Sequence, residues 1–282
     1  MERLTIPTNK SESEPQYDGP YEVSSIELQI DEDIFKGILY FPPKKYLKPY
    51  PVILFFHGFP QLFTLQEIIR KYQYLLDLGF AFIAINFRGY QYSEGKISIS
   101  TQVSDGLKLV EFAKKMAEKN IFDEENINIL AEDFGAYISL IVCSKTHLIN
   151  KLLLLSPIID LKKHVYENSF LTILRYIDTY LPGNVRGIDD FENFIQMTKH
   201  ELSRDEFKLK FAIKNLKVNS FKIIIGEDDK ITPSSELEVF NQFYKINPEF
   251  ERTIIEVMEH EPFYEEEIKL IEKEIKRFFL DI

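Results

Sequence analysis

The run Ile127-Asn128-Ile129-Leu130-Ala131-Glu132-Asp133-Phe134-Gly135-Ala136-Tyr137-Ile138 changes its period within five residues. An apolar stretch too short for a helix ends at Ala131, an acid and a glycine follow, and helical spacing then begins. This is the pattern of a buried strand that turns sharply into a helix. Ala131 and Gly135 stand two positions before and after Asp133, where so tight a turn leaves no room for larger side chains. A carboxylate therefore sits at the tip of the bend, and the rest of the chain must supply neighbours for the strand beneath it.

Those neighbours are legible along the chain. Pro51-Val52-Ile53-Leu54-Phe55-Phe56 is apolar on both faces, as expected of a buried parallel strand, and 80–86, 151–155 and 221–225 read the same way. A further strand is expected over 250–257. Helices are expected from 65 to Gly79, where glycine can take the left-handed C′ conformation, and over 101–119, 234–243 and 263–280. β-type residues at 21–30 and 34–41 surround the acidic turn Asp31-Glu32-Asp33 and read as an opening hairpin. Strands alternating with helices of these lengths argue an α/β fold, a mostly parallel sheet with helices on both faces. The alternation fails between 160 and 219. Amphipathic helices are expected there at 161–180, 190–200 and 204–215, in a segment too long for a connection. The chain is thus read as a polar N-terminal arm (1–20), one α/β core (21–159 and 220–282) and an inserted helical cap (160–219).

Composition narrows the function. Against 34 Lys and Arg stand 45 Asp and Glu, a net charge of -11, which opposes phosphate backbones and anionic membranes. Neither nucleic acid nor membrane is expected as a partner. The lone Cys143 excludes an internal disulfide and reads as a small buried residue on the helix after the bend; no Cys/His spacing reads as a metal site. Met1 to Pro7 lacks the apolar core of a signal peptide and no run reaches membrane-spanning length, so a soluble, cytoplasmic protein is expected. Oligomeric state is not encoded in any pattern found.

Two further loops leave strand ends with useful chemistry: Gly226-Glu227-Asp228-Asp229-Lys230-Ile231-Thr232-Pro233 and Met258-Glu259-His260-Glu261. In open α/β sheets ligands bind outside the carboxyl ends of the strands, so Asp133, Asp229 and His260 can converge from distant positions. The stretches PVILFFHGF, INFRGYQYSEG, NINILAEDFGAY, IIIGEDDKITP and EVMEHEPF, in that order, resemble the α/β-hydrolase superfamily. Within it they resemble the feruloyl-esterase and serine-aminopeptidase-like group. The resemblance implies the α/β-hydrolase fold, Asp229 as triad acid and His260 as base. It implies Phe59 and Phe134 as the residues whose backbone N–H groups form the oxyanion hole. Asp160, where some superfamily members place the acid, is the alternative to Asp229, and Asp228 is disfavoured by its spacing. His57 reads as a structural hydrogen-bonding residue; His147, His164 and His200 read as solvated or packed.

The departure from that group is Asp133, which stands where the group carries its serine nucleophile. An ionised carboxylate has no proton to give His260 and instead holds it as imidazolium between two acids. Superfamily members that do carry aspartate here, epoxide hydrolases and haloalkane dehalogenases, attack carbon directly and hydrolyse the resulting ester. His57-Gly58-Phe59-Pro60 and Arg88-Gly89-Tyr90 resemble epoxide-hydrolase turns. Dehalogenases typically cradle halide with Trp, and this chain has none. Epoxide hydrolases polarise the epoxide with cap tyrosines, for which Tyr166, Tyr176 and Tyr180 are the residues available, although amphipathic packing explains them as well. The expectation is a hydrolase related to carboxylic-ester and peptide hydrolases, acting on a small apolar or aromatic molecule without a cofactor. The readings left open are a covalent Asp133 ester, acyl hydrolysis by water activated through His260, and a non-catalytic homologue that binds a ligand under the cap.

Overall fold

Nine strands form a single sheet in the structure, a computed structural model describing residues 3–5, 20–241 and 250–281. They are β1 (Arg3–Thr5), β2 (Val23–Ile30), β3 (Asp33–Tyr40), β4 (Tyr50–Phe56), β5 (Ala81–Asn86), β6 (Phe122–Glu132), β7 (Lys151–Leu155), β8 (Ser220–Gly226) and β9 (Phe250–Ile255). Their order is β1-β2-β3-β5-β4-β6-β7-β8-β9. Strands β4 to β9 run parallel to one another, and β1 to β3 add an antiparallel margin in which β3 pairs with β5. The elbow strand β6 is paired on both sides, with Leu130 opposite Phe55 of β4 and Leu153 of β7. Because β4, β6, β8 and β9 are parallel, the loops that follow them open on one edge of the sheet.

The apolar runs are continuous because each strand feeds two cores at once. Val52, Leu54, Phe56, Ile129, Ala131, Leu152 and Leu154 point to one face, while Ile53, Phe55, Leu130, Leu153 and Leu155 point to the other. Helices α1 (Leu65–Lys71), α2 (Gln73–Asp77) and, at the chain's end, Glu265–Leu280 cover the second face. Helices α3 (Ile99–Glu118) and α4 (Asp133–Lys145) cover the first, and Phe134 to Ser144 of α4 are all buried, Cys143 among them. A helix apolar on every side belongs under other structure, and α4 has it.

What lies over α4 comes from the insertion. Between β7 and β8 run α5 (Leu161–Tyr166), α6 (Asn168–Tyr180), α7 (Phe191–Ser203), the 3-10 turn Asp205–Phe207 and α8 (Leu209–Lys214). Tyr137 Oη of α4 donates to the Phe207 carbonyl at 2.5 Å. The loop between α6 and α7 is stitched to the one after β5: Gln91 N–H donates to Asn184 O, Arg186 N–H to Gly89 O and Ile97 N–H to Arg186 O. The buried carboxylate of Glu201, on α7, accepts from Ile99 N–H at 2.8 Å and from Ser100 N–H at 3.0 Å. It thereby satisfies two of the orphan donors that open α3.

Several expected elements end differently. The helix expected over 65–79 breaks at Tyr72, whose ring is buried against Phe55 and Phe82. The one expected over 161–180 breaks at Glu167, which has extended backbone angles. Asp123 to Asn126, expected to lead into the elbow strand, belong to β6 itself. The helix expected over 234–243 is the 3-10 turn Ser234–Leu237 followed by α9 (Glu238–Asn241), its end lying outside the described residues; α10 is Glu265–Leu280. The expectation of a loosely held arm over 1–20 falls largely outside the described residues and fails at Arg3–Thr5, which pair antiparallel with β2. Three residues are too few to carry a period. No helix among the described residues is long and apolar enough to cross a membrane.

The Glu201 contact yields a stability prediction. Replacing Glu201 with Ala leaves two N–H groups at the start of α3 without their acceptor, and should cost about 1–3 kcal/mol. A denaturant midpoint unchanged from wild type would refute this role.

Candidate active site

The turn at the end of β6 is as sharp as its small residues imply. Asp133 has φ of 48°, the left-handed region that acids tolerate better than most side chains. Its carbonyl is held by Ile158 N–H at 3.1 Å. A Cβ on Gly135 would come within 2.4 Å of the carbonyl oxygens of Phe56 and His57. Only glycine lets α4 begin this close to the end of β4.

The structure brings Asp133, Asp229 and His260 together. His260 Nδ1 lies 2.9 Å from Asp229 Oδ2, and His260 Nε2 lies 3.4 Å from Asp133 Oδ1. Asp229 is buried, and its Oδ1 accepts the N–H groups of Ile231 and Thr232 at 2.9 and 2.8 Å, which fixes the carboxylate before it meets the ring. Asp228 N–H donates to Met258 O at 3.0 Å, tying the β8 loop to the segment that carries His260. Asp228 itself is exposed, and Asp160 caps α5 through Lys163 N–H, so neither takes the place of Asp229.

The second oxygen of Asp133 has its own partner. Phe59 N–H donates to Asp133 Oδ2 at 2.7 Å. The amide expected to bind a substrate oxygen thus binds the carboxylate instead. Phe134, the other residue expected at an oxyanion hole, occupies the first turn of α4, where backbone N–H groups have no intrahelical acceptor. A Cβ on Gly58 would lie 2.5 Å from Asp133 Oδ2, so the absence of a side chain there leaves room for the carboxylate.

Charge follows from this arrangement. Burial alone would pull the His260 imidazole down, but the hydrogen bonds and charges of Asp133 and Asp229 outweigh it and hold the ring up to about 10. At neutral pH His260 is therefore an imidazolium between two carboxylates. His57 goes the other way: burial lowers it to about 4, with the Gly58 carbonyl and Asp133 opposing. Phe87 N–H donates to His57 Nε2 at 3.2 Å, which leaves the ring proton on Nδ1, 2.9 Å from Gly58 O. His57 is a neutral brace for the loop after β4.

A cavity of about 360 Å³ opens over Asp133 and His260. Phe59, Ile97, Ile99, Phe134 and Ile158 line it from the core, and Leu161, Val165, Phe170, Ile173 and Phe194 from the inserted helices. Its polar lining includes Lys163, His164, Glu167, Thr198, Lys230 and Glu261. Tyr166, Tyr176 and Tyr180 are absent from the wall and exposed at the surface, Tyr166 under the Lys199 ammonium and Tyr176 beside Tyr180. The tyrosines available from the sequence do not meet the cavity. His164, expected to be solvated or packed, does line it; a lone histidine on a short amphipathic helix carries no pattern by which it could have been singled out. Among the described residues no cluster of three or more His, Cys, Asp or Glu could hold a metal ion.

Comparison with known proteins agrees with the fold. An esterase of Pyrococcus furiosus is similar in structure, with a TM-score of 0.69 at 16% identity over 93% of this chain and 91% of that one. An acetyl xylan esterase from Paenibacillus sp. R4 is similar with a TM-score of 0.69 at 14% identity, over 99% of this chain and 88% of that one. Est1E from Butyrivibrio proteoclasticus has a TM-score of 0.65 at 16% identity, over 91% and 98%. At such identities the likeness is one of fold. No curated protein sequence matches significantly. A family model described as alpha/beta hydrolase fold matches residues 51–200, just over half of the chain. With its mostly parallel sheet, its strand-turn-helix elbow and its acid and histidine at adjacent strand ends, the protein belongs to the α/β-hydrolase fold family.

Proposed function

We propose that this protein is a hydrolase that opens small, apolar epoxides through a covalent ester on Asp133, with α5 to α8 serving as a cap over the reaction. The observation that carries the reading is the division of labour between the two carboxylate oxygens. Oδ2 is bound by Phe59 N–H, while Oδ1 faces His260 at the floor of the cavity. Oδ2 is committed to the backbone, whereas Oδ1 lies on the side of His260, the base that must later activate water at the same carboxyl, so attack belongs to Oδ1. The same N–H then stabilises the oxyanion when water attacks the ester at Cγ.

The imidazolium fits this sequence better than it fits serine chemistry. In the resting site it cannot act as a base. Alkylation of Oδ1 removes the Asp133 charge, so only Asp229 still favours the charged ring, and His260 can release its proton to solvent. The neutral imidazole then takes a proton from water as the hydroxide adds to Cγ. Collapse expels the product alkoxide, which takes the proton of the Asp133 carboxylic acid, and the carboxylate pair and imidazolium are restored. An apolar wall and a volume of about 360 Å³ suit a small aliphatic or aromatic body. The absence of Trp from the chain removes the usual halide cradle and favours epoxides over alkyl halides.

Single turnover of styrene oxide in heavy-oxygen water tests the reading. The proposal predicts label in the Asp133 side chain and unlabelled first-turnover diol. Label in the product alone would mean direct attack by water, and no turnover across epoxide and ester panels would leave a ligand-binding protein. Asp133→Ser should raise hydrolysis of short aryl esters by at least about tenfold over wild type, since the base, acid and Phe59 N–H remain; a folded but inert variant would argue that these groups are not catalytically arranged. The charge of His260 has a separate signature. Its folded value near 10 lies above the ordinary 6.5, so the stabilisation is complete below pH 6.5 and is lost as pH rises through about 10. The thermal midpoint should therefore fall more steeply from pH 7 to 10 in wild type than in His260→Gln, and equal slopes would contradict an imidazolium.

A further inference from the structure

A trans peptide is a planar unit whose carbonyl and N–H point in opposite directions, so turning one end turns the other. Gly58–Phe59 is such a unit, and both of its polar ends are held. Its N–H donates to Asp133 Oδ2 at 2.7 Å, and its carbonyl oxygen lies 2.9 Å from His57 Nδ1. The imidazole and the carboxylate are therefore joined through a single plate of backbone.

His57 is itself fixed. Its Nε2 accepts Phe87 N–H at 3.2 Å, so the single proton of the neutral ring stays on Nδ1 and meets the Gly58 carbonyl. The rings of Phe87 and Tyr90 pack against the imidazole, with centroids 5.0 and 4.5 Å away. Bracing the loops after β4 and β5 against each other takes only the bond from Phe87 N–H. The bond to Gly58 O does something more, because hydrogen bonds in a chain polarise one another. A carbonyl that accepts a proton makes the N–H of its own peptide a stronger donor.

We infer that His57 is a positioning residue: by donating its Nδ1 proton to Gly58 O it aims and polarises the Phe59 N–H, and it thereby favours hydrolysis of the Asp133 ester over its formation. The kinetic half of this role rests on the alkylation reading of Asp133; the aiming of the amide does not. The two steps respond to the same N–H with opposite sign. In alkylation Oδ1 gives an electron pair to carbon and the carboxylate loses its charge, so a strong donor on Oδ2 holds back the attack. In hydrolysis hydroxide adds to Cγ, a C–O π pair moves onto Oδ2, and the same donor stabilises the charge that develops there.

Two variants separate aiming from bracing. His57→Asn keeps an N–H donor where Nδ1 stands, and His57→Gln keeps an acceptor where Nε2 stands. The proton–nitrogen NMR signal of the Phe59 amide should move upfield in His57→Gln and stay near its wild-type position in His57→Asn. In single turnovers of styrene oxide, His57→Gln should hydrolyse the Asp133 ester roughly two- to tenfold more slowly while forming it as fast as wild type or faster, and His57→Asn should restore much of the hydrolysis rate. A Phe59 signal that stays put in His57→Gln would overturn the role, as would formation and hydrolysis slowed alike, the mark of a brace. Wild-type protein serves as well, since a His57 ring found by NMR with its proton on Nε2 would refute the role without any variant. Wild type that never forms the ester would overturn the reading of Asp133 and the kinetic half of this role, and the Phe59 signal would then decide the aiming alone.

Discussion

One hydrogen bond, from Phe59 N–H to Asp133 Oδ2, decides what kind of site this is. In an elbow built around a hydroxyl, that amide waits for a substrate oxygen. Here it is already engaged by the side chain at the tip of the bend, and the engagement separates two otherwise equivalent oxygens. One is fixed against the backbone and the other is turned toward an imidazole and an open cavity. Serine chemistry would need the first position empty and the second protonated. The proposed attack by the carboxylate uses the arrangement found.

The fold supplies this contact through steric limits. The bare Cα of Gly135 lets α4 start against the last carbonyls of β4, and that approach sets the spacing between Asp133 and the loop carrying Phe59. The missing side chain of Gly58 leaves the volume that the carboxylate fills. Next to the tip, Glu132 accepts from Tyr72 Oη and from Lys71 Nζ, so the residue before Asp133 is anchored to the opposite face of the sheet. On the far side, β8 and β9 pair along their length and deliver Asp229 and His260 as a preformed unit. The site is a junction of two rigid strand pairs, (β4, β6) and (β8, β9), with β7 between them.

Much of the core was legible because its signals are local and strong. Continuous apolar runs marked β4, β5, β7 and β8, and the switch of period at Ala131 marked the elbow. Asp229 could be separated from Asp228 by its distance from Gly226 and Pro233, and burial explains why: one acid faces inward from the turn and the other outward. What was not legible depended on three-dimensional partners. The breaks at Tyr72 and Glu167 interrupt amphipathic patterns that read as continuous, because a buried ring in one case and an extended backbone in the other override propensity. The outward direction of the three tyrosines, and the inward direction of His164, depend on which face of each short helix meets the core. Composition cannot distinguish those faces when both carry aromatic residues.

The imidazolium between two carboxylates is the other side of the same contact. The two acids keep the ring protonated in the resting site. Under the alkylation of Asp133 proposed above, forming the ester removes one of the two charges that hold the ring protonated, and the site is switched on by its own substrate. The most direct measurement is mass spectrometry of acid-quenched His260→Gln after exposure to styrene oxide, because removing the base should leave the ester formed but unhydrolysed. An adduct of one substrate on the peptide that contains Asp133 is expected. An unmodified peptide, or an adduct on any other residue, would contradict it.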